Sequence, residues 1–362
     1  MKKIDRYILS KYLSTFFFCL VLFTTIVVVI DLSEKTDDFM KSKLPVWKIF
    51  VDYHLGFIPR IDAMLFPLFV FIAVIFFTSK MAERSEIVAI LSSGVSFRRF
   101  LFPYWIGGFI LSLILWGTYH LVLPTANKKW GEFQAKYIDL NFGISANANQ
   151  NYYFRLDSNS YAGIRSYDTA RKSGYIFFVQ RFVNNQMTYN LRADNIIWEP
   201  ETKKWKLYNT TERFFTSKQK ESIKFNRSLV MNYNFAPQDL RKDEYLKDRL
   251  PTSELDQVIK MERLRGSEAI NSFLVERYNR DAIPVSVIVL TLIGAIMASR
   301  RVRGGSGLHL AIGVLLSVLY VLFGRFSLVF ATKGTLTPLL AAWIPNIVFA
   351  ILAFYLYKRA PK

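Results

Sequence analysis

The sequence predicts a membrane α-helical bundle of six transmembrane helices, with an all-β domain inserted between the third and the fourth. Three observations predict it. Of the 362 residues, 52% are hydrophobic and 16% aromatic, and they gather in long runs that hold few charges. Six of these runs are long enough to cross a bilayer. Between the third and fourth runs the chain changes character for about 150 residues, becoming short aromatic and β-branched segments divided by turn formers.

The six runs lie at about 12–32, 59–79, 100–123, 280–299, 307–330 and 337–357. A hydrocarbon core of about 30 Å needs about 20 mainly apolar residues in a helix, and residues 63–77 carry no polar side chain at all. A large soluble protein can bury one such helix, but six of this length recur here. With no water to satisfy backbone N–H and C=O groups, each run must be helical. Pro67, Pro103, Pro284, Pro338 and Pro345 lie near helix ends or mark kinks. The first run follows Lys2, Lys3, Arg6 and Lys11 and ends at Asp31-Leu32-Ser33-Glu34 without a small-x-small cleavage pattern. It reads as a retained first helix that serves as its own insertion signal.

Orientation follows from lysine and arginine in the short loops. With both termini in the cytoplasm, the inner segments hold Lys2, Lys3, Arg6, Lys11, Lys80, Arg84, Arg98, Arg99, Arg300, Arg301, Arg303, Lys358, Arg359 and Lys362. The short outer loops hold only Lys35, Lys41, Lys43, Lys48, Arg60 and Lys333. The central domain then lies outside. Its segments Tyr152-Tyr153-Phe154-Arg155-Leu156, Tyr175-Ile176-Phe177-Phe178-Val179, Asn195-Ile196-Ile197-Trp198 and Trp205-Lys206-Leu207-Tyr208 read as strands of a sandwich or barrel. From Pro251 the period becomes helical: Ser253 and Asp256 resemble a capping box ahead of Leu255, Val258, Ile259 and Leu264. That helix is expected to lie along the outer membrane surface. The predicted domains are residues 1–126 with an inner-loop helix at about 81–98, 127–250 for the strands, and 251–362.

Composition excludes several functions. The net charge is +19, but the cations sit at the ends of apolar runs rather than on one basic face, which argues against nucleic acid. Cys19 is the only cysteine, so an intrachain disulfide and a multi-cysteine metal site are excluded. His54, His120 and His309 lack metal-ligand spacing, and no metal is expected. There is no P-loop, no G-x-S-x-G and no H-E-x-x-H, and Gly304-Gly305-Ser306-Gly307 reads as a turn. The sequons at Asn209 and Asn226 lie in the strand region. No catalytic residue and no cofactor are predicted.

Two features remain. In the inner loop, Ile87, Ile90 and Leu91 form an i, i+3, i+4 apolar face after the acidic first-turn residue Glu86, with Gly94 as a stop. Such a helix either docks in a groove of a cytoplasmic partner or lies as a connector on the lipid headgroups. The second feature is cationic: Arg325 lies about 18 residues, or about 27 Å, into the fifth span, Arg60 begins the second, and Lys35, Lys41 and Lys43 follow the first. These residues either hold an anionic, phosphorylated lipid headgroup or snorkel to ordinary lipid phosphates.

At this point the chain resembles a known family, the LptF/LptG permeases of the lipopolysaccharide export transporter, and more closely its LptG branch. The resemblance rests on Asp5-Arg6-Tyr7-Ile8, on Pro59 and Pro67, and on Arg84-Ser85-Glu86 followed by Gly94 and Ser96. It rests further on Pro284-Val285-Ser286, on Arg301-x-Arg303-Gly304-Gly305, and on Ala342-Trp343-Ile344-Pro345-Asn346. The resemblance implies a non-catalytic permease in the bacterial inner membrane, with a periplasmic β-jellyroll. It implies pairing with a second LptF/LptG-type subunit or with itself, on an LptB-like ABC ATPase dimer that binds the ATP. Arg84, Ser85, Glu86, Ile87, Ile90, Leu91 and Gly94 would form the ATPase-coupling segment, with Glu86 facing the ATPase. Lipopolysaccharide would enter from the outer leaflet, between span one of one subunit and span five of the other. It would leave through the jellyroll to an LptA-like bridge, with an LptC-like single-span protein at the gate. Other readings are a permease for another envelope lipid or lipoprotein, and a membrane sensor or assembly protein. One stretch departs from the family pattern: residues 31–38, where lipid-contacting lysine is expected, are mostly acidic, leaving Lys35 or Arg325 to compensate.

Overall fold

The computed structural model describes residues 2–138, 152–168, 171–215, 221–237, 240, 245–267, 269–300 and 306–360. Its helices, in order, are α1 (Lys3–Glu34), α2 (Thr36–Lys41), α3 (Val46–Ile49), α4 (Leu55–Glu83), α5 (Glu86–Ser92), α6 (Phe97–Gly117), α7 (Leu123–Phe133), α8 (Leu246–Arg249), α9 (Thr252–Arg265), α10 (Ile270–Ala298), α11 (Ser306–Thr332) and α12 (Pro338–Lys358). Among the described residues, six helical stretches are long and apolar enough to cross a membrane, one for each predicted run.

The second and third stretches outrun the sequence reading. They cover Val46–Glu83 and Phe97–Ile138, 38 and 42 residues, or roughly 57 and 63 Å of helix. Hydropathy sees only the part that must sit in lipid. The second stretch runs from α3 through a π-helical turn at Phe50–His54 into α4, and the third leaves α6 through one at Thr118–Val122 into α7, where Lys128 and Lys129 are exposed.

α4 and α10 are the centre of the bundle: 61% of the most apolar stretch of each is buried, against 11% for α1 and 17% for α11. Phe66, Phe69, Val70 and Ala73 of α4 share a core with Tyr12 and Phe16 of α1, Tyr104 of α6 and Val287 of α10. Gly107 of α6 permits the approach to α1, since a Cβ there would fall 2.5 Å from the Tyr12 ring. Several buried polar side chains find partners on neighbouring helices, as lipid favours. Tyr12 and Thr291 pair at 2.9 Å, Thr78 and Tyr104 at 2.9 Å. Asn346 of α12 donates to the Ala282 carbonyl at 2.6 Å and accepts from Tyr320 of α11 at 3.0 Å. Arg280, buried in α10, donates to the carbonyls of Lys247 and Leu250 at 3.0 and 2.9 Å and to Thr252 Oγ1 at 3.0 Å. It thus secures the chain where it re-enters the bundle.

Two compact units divide the chain, one of residues 1–140, 247–255 and 271–362, the other of residues 141–246 and 256–270. The second is built on six antiparallel strands: β1 (Tyr152–Arg155), β2 (Ser160–Asp168), β3 (Ser173–Val183), β4 (Gln186–Glu199), β5 (Lys204–Phe215) and β6 (Glu221–Met231). Their spatial order is their sequence order. The sheet among the described residues is therefore a meander, without the Greek-key crossings of a full jellyroll. Short connections produce this order: Asn184 and Asn185, both at positive φ, make a two-residue hairpin turn between Val183 and Gln186. One face packs Ile164, Phe177, Leu191, Ile196, Trp205 and Leu207 against Phe235 and Leu240, and Trp205 Nε1 donates to the Phe235 carbonyl at 2.8 Å.

The alternation of the strands slips once, in line across the sheet. Inward-facing residues are three apart at Ile164 and Tyr167, Gly174 and Phe177, Ala193 and Ile196, and Leu207 and Thr210. Ile176 and Asn209, at φ 51° and 50°, lie on this line, which is an aligned row of bulge-like irregularities that re-aims half of the apolar face. The predicted helix after Pro251 is α9, with Leu255 and Ile259 buried. Arg301, Arg303, Gly304 and Gly305 lie outside the described residues.

Candidate lipid and coupling sites

The bundle has two ends. One carries the start of α1, the loop from α4 to α6, and the end of α12; the other carries the end of α1, the starts of α4 and α10, and the end of α11. At the first end, α4 stops at Arg84 and Ser85 turns the chain with φ 60°. α5 follows for 7 residues, and Gly94 at φ 86° ends it, donating its N–H to the Leu91 carbonyl at 3.1 Å. Ser96 then caps α6 by accepting the Arg99 N–H at 3.3 Å.

The apolar face of α5 points the other way from the docking expectation. Ile87 is 1% exposed in the bundle core, and Ile90 and Leu91 pack against that same core. Burial inside the chain's own bundle outweighs any gain from presenting three aliphatic side chains to water. The surface left open on and around α5 is Glu83, Arg84, Ser85, Val88, Ala89, Ser92 and Gly94, with Val88 57% exposed. Glu86 is half-buried between Tyr7, whose hydroxyl donates to it at 3.2 Å, and Arg84 at 4.0 Å. A second contact anchors α6 to α1: Arg99 donates to the buried Asp5 at 2.5 Å.

At the other end, three of the five candidate cations meet one face of α4 at Phe57, Arg60 and Met64, which stand at i, i+3 and i+7. Lys35 Nζ sits 5.6 Å from the centre of the Phe57 ring, the Arg60 guanidinium lies 4.3 Å over the Trp130 ring, and Arg325 Nη2 lies 3.7 Å from Met64 Sδ. Lys35 is already paired: Asp31 lies at 3.0 Å, and its ammonium also donates to the Tyr53 hydroxyl. Arg325 is exposed and meets no carboxylate among the described residues. Lys41 pairs with Asp38 at 3.9 Å, and Lys43 is exposed; neither joins the α4 group. Composition had flagged the cations but not their partners. Tyr53, His54 and Asp31 form a buried polar group, with His54 Nε2 3.9 Å from Asp31 Oδ2, and no local pattern signals a contact across twenty residues.

Six spans, an inserted sheet and charged groups at both ends of the bundle set the architecture beside known proteins. A sequence model of the lipopolysaccharide export system permeases LptF/LptG matches residues 6–359. The chain belongs to the LptF/LptG family. It is also similar to the lipopolysaccharide export system permease protein LptG of Escherichia coli strain K12, at 22% identity over 313 residues, 85% of this chain and 84% of that protein. The LptG of Escherichia coli O6:H1 gives the same values. Membership makes this chain a multi-pass permease subunit. Among the described residues, no cluster of three or more His, Cys, Asp and Glu side chains could hold a metal ion.

Proposed function

We propose that this LptF/LptG-family chain extracts lipopolysaccharide from the outer leaflet of the bacterial inner membrane and passes it to a periplasmic bridge. Both termini lie in the cytoplasm and the β domain in the periplasm, as the loop charges require. An LptB-like ATPase dimer supplies the work at α5, and a second LptF/LptG-type subunit, or a second copy, completes the cavity. LptC-like and LptA-like proteins stand on the exit path.

The observation that carries this reading is the gathering of Lys35, Arg60 and Arg325 on one face of α4, flanked by α1 and α11, the least buried spans. A phosphorylated glycolipid matches it: phosphates for the cations, acyl chains for the apolar flanks. Arg325 is the residue free to grip a phosphate, because Asp31 already neutralises Lys35. Docking on the ATPase uses the open surface of Arg84, Ser85 and Val88, with Glu86 behind it.

The test is copurification of the full chain in detergent, followed by reconstitution with lipopolysaccharide and ATP. The expected result is an ABC ATPase in the pull-down and ATP-dependent release of lipopolysaccharide to a soluble acceptor. Release of a different lipid would assign the chain to another envelope substrate. Absence of both ATPase and nucleotide binding would favour a sensor or assembly protein and overturn the reading.

A further inference from the structure

α1 differs from the other five spans in one respect: it contains neither proline nor glycine. Kink-forming residues interrupt all the others: Pro59 and Pro67 in α4, Pro103 and Gly107 in α6, Pro284 and Gly294 in α10, Gly313 and Gly324 in α11, Pro345 in α12. Its 32 residues make a rod of roughly 48 Å that has no built-in hinge. Both ends are tied by directional contacts. At one end Asp5 holds Arg99 at 2.5 Å and Tyr7 holds Glu86 at 3.2 Å, so two residues of α1 grasp the first residue of α5 and the first turn of α6. At the other end Asp31 takes Lys35 at 3.0 Å and Tyr53 at 2.9 Å. Between them α1 meets other helices through Tyr12–Thr291 and Thr24–Asp62, at 2.9 and 2.6 Å, and otherwise through non-directional apolar packing.

We propose that α1 is a rigid transmission rod, with Asp5, Tyr7 and Arg99 as positioning residues that carry displacement of the α5 loop to Asp31 and Lys35 at the opposite end. This rests on the permease reading for its purpose, though not for its mechanics. The bundle gives the rod room to move, since little of its surface is buried. An alternative route from α5 through α4 passes two prolines, each of which can absorb motion as a bend.

The experiment breaks the grasp without disturbing the helix. Tyr7→Phe removes one hydroxyl, Arg99→Gln removes the charge, and Arg99→Lys restores a cation. In the reconstituted complex, lipopolysaccharide released per ATP should fall about three- to thirtyfold in the Tyr7→Phe/Arg99→Gln pair, the range expected of residues along a coupling network. ATP hydrolysis should persist, and Arg99→Lys should recover part of the loss. Equal loss of hydrolysis and release, or no loss of either, overturns the proposal. A second measurement needs no ATPase: spin labels at Glu34 and Lys333, in a Cys19→Ala background of the full chain in nanodiscs. The distance distribution between them should broaden or shift in the double variant. An unchanged distribution overturns the rod, whereas an intact chain that yields no ATP-driven release fails the permease reading instead.

Discussion

Asp31 Oδ1 lies 3.0 Å from Lys35 Nζ one helical turn later and accepts the Tyr53 hydroxyl at 2.9 Å. That carboxylate accounts for the first acid of the stretch at the end of the first span: its charge is used inside the protein, and Lys35 is spent with it. In the proposed function, the grip on a lipid phosphate therefore falls to Arg325 of the fifth span. Arg325→Ala should weaken lipopolysaccharide binding more than Lys35→Ala does, by about ten- to hundredfold if one charge-assisted contact of about 1.5–3 kcal/mol is lost. Binding of labelled lipopolysaccharide to the complex in nanodiscs measures this.

The same geometry predicts a structural penalty at Asp31. Asp31→Ala leaves Tyr53, buried, without its acceptor and Lys35 without its counter-charge. Thermal unfolding of the full chain should show a loss of about 1–3 kcal/mol, while Asp38→Ala, whose partner Lys41 is exposed, should change stability by about 0.5 kcal/mol or less.

Neighbouring residues of α5 should separate fold from docking. Ile87→Ala empties a core position and should cost about 2–5 kcal/mol, read as a lowered melting temperature. Val88→Asp changes an exposed position and should leave melting nearly unaltered while reducing copurification of the ATPase.

In the sheet, Trp205→Ala removes the largest fully buried side chain and leaves the Phe235 carbonyl without its donor. A loss of about 3–5 kcal/mol is expected, seen as faster hydrogen exchange throughout β3, β4 and β5.

pH should act locally at Asp157. The backbone N–H of Asn159, donating to Asp157 Oδ1 at 2.8 Å, holds this carboxyl below its ordinary value. A depressed carboxylate stabilises the β1–β2 turn above the ordinary carboxylate range, and that stabilisation fades as pH falls through the lowered value. Amide exchange in the turn should therefore accelerate, relative to Asp157→Asn, only on acidification below about pH 4.

Spans, sheet and inner-loop helix were legible because each writes its period locally: long apolar runs, strand segments between turn formers, and Gly94 at the stop of α5. The covering of the α5 stripe was left open for a physical reason. An i, i+3, i+4 aliphatic stripe shows that a helix is amphipathic but not whether the covering surface is its own bundle or a partner, and Ile87 chose the bundle. The lengths of the second and third helical stretches, Val46–Glu83 and Phe97–Ile138, were hidden because helix outside lipid needs no hydropathy. The cation site was half legible. Charge placement named Arg60 and Arg325, but Met64 and Trp130, which position them, carry no charge to notice, and Asp5–Arg99 spans too many residues for any local pattern to reveal.

The most direct test of the account is photo-crosslinking in living cells from position 64, beside Arg325, with position 113 on the exposed face of α6 as reference. Lipopolysaccharide should crosslink strongly at 64, weakly at 113, and less at 64 when Arg325 is replaced by alanine. Equal labelling at the two positions, or labelling at 64 by ordinary phospholipid alone, would contradict the assignment of this face of α4 to lipopolysaccharide.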